Sequence, residues 1–206
     1  PLKHFGSPDK DGLLKFIGYC KKQAIERNHA VLATITLPSE YLDPLAVLQT
    51  VNDPQQEHCY FEQVSRHQGV ACAEPVLLFE GSGENRFADL KAYADEWFEH
   101  HVFVGGTDLP WSGAHFFVES TFEDDLDSIG FVPPVLAFIP RWQVGWKGNQ
   151  FSATANTVVH PEDDVNALVE SIWRAHKHFS AFEFEGDVEP ETEDRIRTGD
   201  VEIINH

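Results

Sequence analysis

Basic residues are scarce in this chain. Its 206 residues include 15 lysines and arginines against 34 aspartates and glutamates, which gives a formal net charge of −19. A protein that binds nucleic acid needs a basic stripe to neutralise phosphates, and the sequence has none. The charge also repels anionic metabolites wherever a local basic pocket does not override it. We therefore expect no nucleic-acid partner.

Long apolar runs are also absent. No run approaches the roughly 20 residues that are needed to span a bilayer. The first ten residues, PLKHFGSPDK, lack the apolar core of a signal peptide. These absences predict a soluble, cytoplasmic protein without a membrane partner.

Cysteine is rare and methionine is missing altogether. Cys20, Cys59 and Cys72 form no Cys-x-x-Cys pair, and any disulfide scheme leaves one of them unpaired. This pattern fits a reducing compartment in which each cysteine acts as a small buried hydrophobe. The absence of methionine has no explanation in the composition.

What the chain has in abundance is apolar and aromatic residues. An apolar content of 42%, with 16 Phe and 5 Trp, is typical of a packed globular protein. The spacing of these residues predicts an α+β fold, with a mostly antiparallel sheet and helices packed on one side. Helices are predicted from Asp11 to residue 28, from Asp43-Pro44, over residues 84–101 and from Pro161. Strands are predicted over residues 30–37, 58–64, 69–80, 113–120 and 135–159, the last interrupted by a turn at Gly148-Asn149.

The composition changes after Phe182. Between Glu183 and Glu202 there are nine acidic residues and two arginines, a balance typical of a solvated connector. We therefore divide the chain into a folded part, residues 1–182, and an acidic connector, residues 183–206.

The nearest candidate for a phosphate-binding loop is FEGSGENRF, a strand followed by Gly-x-Gly and a helix. The dinucleotide fingerprint requires a third glycine where Arg86 stands. The segment is better explained as a strand-to-helix turn in which Ser82 caps the helix. We predict no cofactor-binding residues here.

The histidines do not have the spacing of a metal site. His58-Cys59 with His67 lies near a predicted hairpin and lacks the spacing of a structural zinc site. The adjacent pair His100 and His101 and the i,i+2 pair His176 and His178 end helices, where such pairs do not face one ion. No Ser-His-Asp or Cys-His arrangement and no G-x-S-x-G elbow is present. The sequence therefore offers no metal ligands and no catalytic residues.

The segment VLAFIPRWQVGWKGNQFSATANTVV, residues 135–159, contains the most unusual motif. Pro140 is tolerated in a strand only at an edge, an end or a bulge, so it predicts a break in the sheet. In the structural interpretation Arg141 anchors a strand end and Trp142 fills the core. The alternative, in which Arg141 binds a ligand, stays open.

This motif resembles a known family. LAFIPRWQV, residues 136–144, is similar to the Phe/Leu-Pro-Arg-Trp segment in the N-terminal half of isochorismate synthases, which belong with anthranilate and salicylate synthases to the chorismate-utilising enzymes. YFEQVSRHQGVACAE, residues 60–74, resembles their early aromatic strand pair. GGTDLPWSGAHFF, residues 105–117, resembles their Gly-Gly-aromatic strand, with Gly113-Ala114 where two glycines are common. FADLKAYADEW matches the intervening helix, and the resemblance runs from about residue 30 to the end of the chain.

The resemblance implies a reaction and a cofactor. In that family a lysine of the C-terminal half acts as general base on a water, a glutamate acts as general acid, and further glutamates hold Mg²⁺ against the substrate. Water adds at C2 of chorismate while the C4 hydroxyl leaves. No lysine of this chain has the sequence context of that base, and the nearest, Lys147, lies in a turn.

The resemblance therefore implies the N-terminal scaffold part of an isochorismate synthase, inactive alone. Chorismate and Mg²⁺ would be bound by a missing C-terminal half. The parent enzyme would serve menaquinone, phylloquinone, siderophore or salicylate synthesis, and an orphaned apolar face would promote self-association. Pro140, Arg141, Trp142 and Gly113 are then structural residues. Two alternatives stay open: part of a salicylate or anthranilate synthase, and a non-catalytic binding or regulatory domain.

Overall fold

A seven-stranded open sheet organises the molecule. A computed structural model describes residues 10–40, 43–51, 53, 55–122 and 133–180 of the chain. The described residues have a mixed α+β fold, which confirms the predicted fold class. The helices are α1 (Lys10–Arg27), α2 (Pro44–Val51), α3 (Arg86–Glu99) and α4 (Val165–Ser180). The strands are β1 (Val31–Ser39), β2 (His58–Gln63), β3 (Gln68–Gly81), β4 (His101–Gly105), β5 (Phe117–Ser120), β6 (Val135–Lys147) and β7 (Gln150–Val159).

The strands follow the order β2-β3-β6-β7-β1-β4, and β5 pairs with β6 beside this path. The pairs are antiparallel except β1 with β4, which is parallel. On one side, β6 pairs with β3 along nearly its whole length. On the other side, it pairs first with β5 and then with β7. The sheet therefore changes neighbours in the middle of β6.

Helices α1 and α4 cover one face of the sheet. Phe16, Cys20 and Ala24 recur every four residues on α1, so they lie on one side of the helix. They pack against Val31 of β1 and Val169 of α4 in one apolar cluster. Each fully buried large side chain contributes about 1.5–3 kcal/mol through removal of apolar surface from water. This cluster is the main core of the described residues.

Helix α2 covers the neighbouring part of the same face. The carboxylate of Asp43 accepts hydrogen bonds from the backbone N–H groups of Leu45 and Ala46, at 3.0 and 3.4 Å. Asp43 thus caps the helix as predicted. Val47 and Leu48 then pack against Trp142 and its neighbours.

Helix α3 lies on the other face of the sheet, so the prediction that the helices pack on one side was wrong in this respect. Trp97 packs with Leu32, which alternates along β1 with Val31 and so lies on the opposite face. The predicted helix over residues 84–101 was too long, since α3 ends at Glu99 and His101 already belongs to β4. None of the helices among the described residues is long and apolar enough to cross a membrane.

Two predicted boundaries were wrong. Helix α4 begins at Val165 and not at Pro161, because the carboxylate of Asp164 caps it by accepting from the N–H of Asn166 at 2.8 Å. Residues 113–116 are not part of a strand, and β5 begins only at Phe117. The acidic connector, residues 183–206, lies outside the described residues.

Candidate functional site

Pro140 lies where β6 changes neighbours. It stands opposite Pro75 of β3, and the register between the two strands shifts between Pro75 and Leu77. Proline has no N–H to give to a ladder, so strands tolerate it at a bulge of this kind. The carbonyl oxygen of Pro140 accepts a hydrogen bond of 2.7 Å from the side-chain amide of Asn156. The predicted break was wrong in this respect: β6 continues through Pro140 from Val135 to Lys147, so Arg141 does not lie at a strand end. The two facing prolines instead mark a bulge at which β6 changes neighbours.

Arg141 and Trp142, which follow Pro140 in β6, make different contacts. Arg141 Nε lies 3.2 Å from Glu74 Oε2, and the two side chains are 43% and 32% exposed. Trp142 is 3% exposed and packs against α2 and Val144. An exposed ion pair contributes about 0–1 kcal/mol to the free energy of unfolding, whereas a buried indole contributes several times more. Trp142 is therefore the stronger structural anchor of the motif.

Gly113 is held by its backbone alone. Its φ is +89°, a conformation that L side chains rarely adopt. Its N–H donates to Thr36 Oγ1 at 3.1 Å, and its carbonyl oxygen accepts from Gln143 Nε2 at 3.0 Å. Gly113 thus ties the segment between β4 and β5 to the sheet.

That segment, residues 106–116, is fixed by buried polar side chains. Gln143 is 1% exposed and also donates to the carbonyl oxygen of Trp111 at 2.7 Å. Ser152, equally buried, donates to the carbonyl oxygen of Pro110. Buried polar groups must find partners, and here the partners are carbonyl oxygens of an irregular segment. The sheet therefore determines where Trp111 and His115 lie.

A groove of about 740 Å³ opens where this segment meets two hairpin turns. The turns are tied together because the N–H of Gly148 donates to the carbonyl oxygen of His67 at 2.7 Å. We call this space the turn-end groove. The residues that line it include Arg66, His67, Asp108, Trp111, His115 and Lys147.

Aromatic rings form one wall of the turn-end groove. The ring centroids of Trp111 and His115 are 5.7 Å apart, and those of Trp111 and Phe61 are 6.1 Å apart. Such contacts hold an indole in one orientation. The groove therefore combines an aromatic wall with charged side chains from two turns.

Two half-buried histidines, His115 in the lining of the groove and His101 on β4, have altered pKa values. Burial lowers the pKa of His115 and of His101 below the ordinary value of 6.5. The Thr34 hydroxyl donates to Asn156 Oδ1 at 2.7 Å, so it must accept from His101 Nε2, which lies at 2.9 Å. The lining of the groove also contains two basic side chains, Arg66 and Lys147, and one carboxylate, Asp108.

The sequence did not predict that Arg66 and Lys147 would meet in the turn-end groove. Arg66 and Lys147 are far apart in the chain and both are exposed, as expected of turn residues. They come together because β3 and β6 are paired, with Gln68 opposite Lys147. The groove could have been predicted from the sequence only if the pairing of β3 with β6 had been recognised.

The Gly-x-Gly segment forms a turn between β3 and α3. The guanidinium of Arg86 donates to the carbonyl oxygen of Gly83 at 3.0 Å, so the arginine closes the turn where the fingerprint needs a glycine. Asn85, and not Ser82, occupies the N-cap position of α3. The predicted capping by Ser82 was wrong.

The histidine pairs of the described part do not build a metal site. His100 stacks on His29 with ring centroids 4.2 Å apart. No three or more histidine, cysteine, aspartate or glutamate side chains converge among the described residues, and the side chains of His176 and His178 are not among them. Magnesium requires several oxygen ligands in octahedral geometry. The described carboxylates do not supply that set.

Comparison with protein families identifies the chain. The model of the chorismate binding enzyme family matches residues 19–203. The chain belongs to the chorismate-binding enzyme family. Membership makes it a chorismate-utilising enzyme in the broad sense. No curated protein matches the chain.

The described lysines of this chorismate-binding enzyme lie at its surface. Lys21 is half-buried and donates to the carbonyl oxygen of Asp163 at 2.7 Å. Lys10 pairs with Glu170 and Lys91 with Asp95. A lysine that acts as a base near neutral pH needs a desolvated setting that favours its neutral form. None of the lysine side chains that the structure describes has such a setting: Lys10, Lys15, Lys21, Lys22, Lys91 and Lys147 are exposed or half-buried.

Proposed function

We propose that this chain forms the scaffold part of an isochorismate synthase, which converts chorismate to isochorismate. In the proposed reaction water adds at C2 of chorismate while the C4 hydroxyl leaves. The catalytic lysine, the catalytic glutamate and the Mg²⁺ ligands would belong to residues outside this chain. The observation that carries the proposal is the family match over residues 19–203, in a chain whose described lysines lie at the surface.

The segments that resemble isochorismate synthases are in contact with one another, which supports the proposal. Gln143 of the Pro-Arg-Trp segment donates to the carbonyl oxygens of Trp111 and Gly113, which belong to the Gly-Gly-aromatic segment. It also stands opposite Cys72 of the aromatic strand pair. A shared contact point of this kind is expected when the resemblance reflects one inherited structural unit.

Product analysis distinguishes isochorismate synthase from its relatives. Chorismate and Mg²⁺ would be incubated with the full product of the gene that encodes this chain, with and without ammonium, and the products separated by liquid chromatography. The proposal predicts isochorismate under both conditions. Accumulation of salicylate with pyruvate, or of anthranilate when ammonium is present, would assign a different member of the family. Self-association through an apolar face remains a separate prediction, checked by sedimentation.

A second candidate function is the binding of a small carboxylate in the turn-end groove. The specific observation in its favour is that Arg66 and Lys147 converge there, although the chain carries a net charge of −19. Chorismate has two carboxylates, and paired cations are what such a ligand requires. Calorimetric titration of this chain with chorismate and with benzoate tests the idea, and the absence of saturable binding would reject it.

A further inference from the structure

Cys59 and Cys72 face each other across the β2–β3 hairpin. The register places them as direct partners in the antiparallel ladder, and both are free thiols. Directly opposite residues in such a ladder have Cα atoms about 4.5 or 5.5 Å apart. Disulfides form when this separation is about 4.4–6.8 Å. A bond between the two sulfur atoms therefore fits the backbone as it stands.

The two thiols differ in exposure. Cys72 is 0% exposed and lies in a cluster with Leu136 and Phe138. Cys59 is half-buried at the margin of the same cluster, on β2, which is the terminal strand in the order of the described sheet. A solvent-borne reagent therefore meets Cys59 first, while Cys72 lies behind it within reach of its sulfur.

The surroundings also shift the pKa values of the two thiols in opposite directions. The hydrogen bond with the Cys72 thiol lowers the pKa of Cys59 to about 7, with a smaller contribution from His58 in the same direction. Burial and the nearby carboxylate of Glu119 act against this shift. Burial raises the pKa of Cys72, and it raises that of Cys20 to about 12. The thiolate is the reactive form of cysteine, so Cys59 is the nucleophile among the three.

We propose that Cys59 and Cys72 form a redox-active dithiol that a hydroperoxide converts to a disulfide across β2 and β3. The Cys59 thiolate attacks one peroxide oxygen, so an S–O bond forms and the O–O bond breaks with loss of hydroxide. The Cys72 sulfur then attacks the Cys59 sulfur, which forms the S–S bond and expels the oxygen as water. In total, two thiols and one hydrogen peroxide give one disulfide and two waters.

The disulfide would act on the turn-end groove. The residues between the two cysteines include the turn that supplies Arg66 and His67 to that groove. Linking Cys59 to Cys72 closes this turn into a covalent loop and fixes β2 against β3. The proposal does not depend on which chorismate reaction the enzyme performs.

Mass spectrometry of the native chain tests the proposal. After mild hydrogen peroxide treatment near pH 7.5, we expect a loss of two mass units per chain and of two thiols in a titration with a thiol-reactive dye. Trypsin without reductant should then yield residues 28–66 linked to residues 67–86, because the sequence has cleavage sites after Arg27, Arg66 and Arg86. Dithiothreitol should restore both thiols. Cys20, in a different tryptic peptide, is the internal control and should remain reduced.

Two variants assign the roles. In Cys72→Ser, which keeps a hydroxyl as a hydrogen-bond partner for Cys59, the Cys59 sulfenic acid should persist and be trapped by dimedone. In Cys59→Ser the loss of two mass units should disappear. If either variant fails to fold, the peptide map of the native chain still decides the question. Links between Cys59 residues of two chains, oxidation of Cys20 before Cys59, or oxygen addition to Cys59 without loss of the Cys72 thiol would each overturn the proposal.

Discussion

The indole of Trp111 lies directly over Gly145. A Cβ atom at Gly145 would come 2.6 Å from the Cβ of Trp111, a distance that real side chains do not tolerate. Trp111 itself has a φ of +53°, which is uncommon for a bulky residue. The position of this wall of the turn-end groove is therefore determined by a glycine in β6.

Substitution of that glycine should disturb the groove. We expect Gly145→Ala to lower the free energy of unfolding by about 1–3 kcal/mol, as overpacking does, and to alter tryptophan fluorescence as Trp111 moves. Gly18→Ala is the matched control, because no atom lies within 4 Å of the new Cβ and alanine favours helices by about 0.5–1 kcal/mol. Equal stability changes in the two variants would refute the close contact.

The Pro-Arg-Trp motif predicts two unequal mutational effects. Trp142→Ala should lower the free energy of unfolding by about 3–5 kcal/mol, since it removes a buried indole. Arg141→Gln should lower the free energy of unfolding by less than about 1 kcal/mol, since the ion pair of Arg141 with Glu74 is partly exposed. Urea unfolding followed by circular dichroism measures both, with Glu74→Gln as control. A large effect of Arg141→Gln on catalysis but not on stability would favour the ligand-binding interpretation of this arginine.

Two half-buried histidines should make stability fall in weak acid. Burial holds the pKa of His101 and His115 below 6.5 in the folded chain, so the unfolded chain binds protons that the folded chain does not. Their contribution to stability is thus complete above about 6.5 and is lost as the pH falls through the folded pKa. Unfolding free energies measured from pH 7.5 to 5.5 should decline less in His101→Gln and His115→Gln than in the unmodified chain. His160→Gln, at an exposed position, is the control, and identical slopes in all four proteins would contradict the prediction.

The turn-end groove predicts charge-dependent binding. If it accepts a carboxylate, Arg66→Gln or Lys147→Gln should each weaken chorismate binding by about 3- to 10-fold, in line with the loss of one exposed charge contact. Lys91→Gln is the matched control, because Lys91 is an exposed lysine on α3 paired with Asp95. Equal affinities for all three variants would show that the groove does not bind the ligand.

Much of the fold was predictable because local rules and tertiary packing agree. The helical spacing of Ile17, Cys20 and Ala24 predicts α1, in which all three are buried, and Gly148 predicts the β6–β7 turn. Gly148 has φ of +57°, while Lys147 and Gln150 remain paired, as a two-residue hairpin requires. In these two places the local sequence pattern is sufficient to predict the backbone conformation.

The prediction failed where distant contacts decide. His101 was read as the end of a helix, because it continues the helical spacing, yet its pairing with β1 makes it the first residue of β4. Residues 113–116 alternate like a strand but are bound through backbone groups to Thr36 and Gln143. The turn-end groove was missed for the same reason, since the contacts that form it join turns of separate hairpins. The spacing of apolar residues along the chain does not indicate which distant strands and turns will pair.

Our central proposal is that this chain is the scaffold part of an isochorismate synthase and that the chemistry requires residues outside it. The measurement that tests it most directly is the rate of chorismate consumption with Mg²⁺, for this chain alone and for the full product of its gene, at equal molar concentration. The account predicts isochorismate formation by the longer protein and none above background by this chain. Mg²⁺-dependent turnover by this chain alone would contradict it, and would place the catalytic groups within residues 1–206.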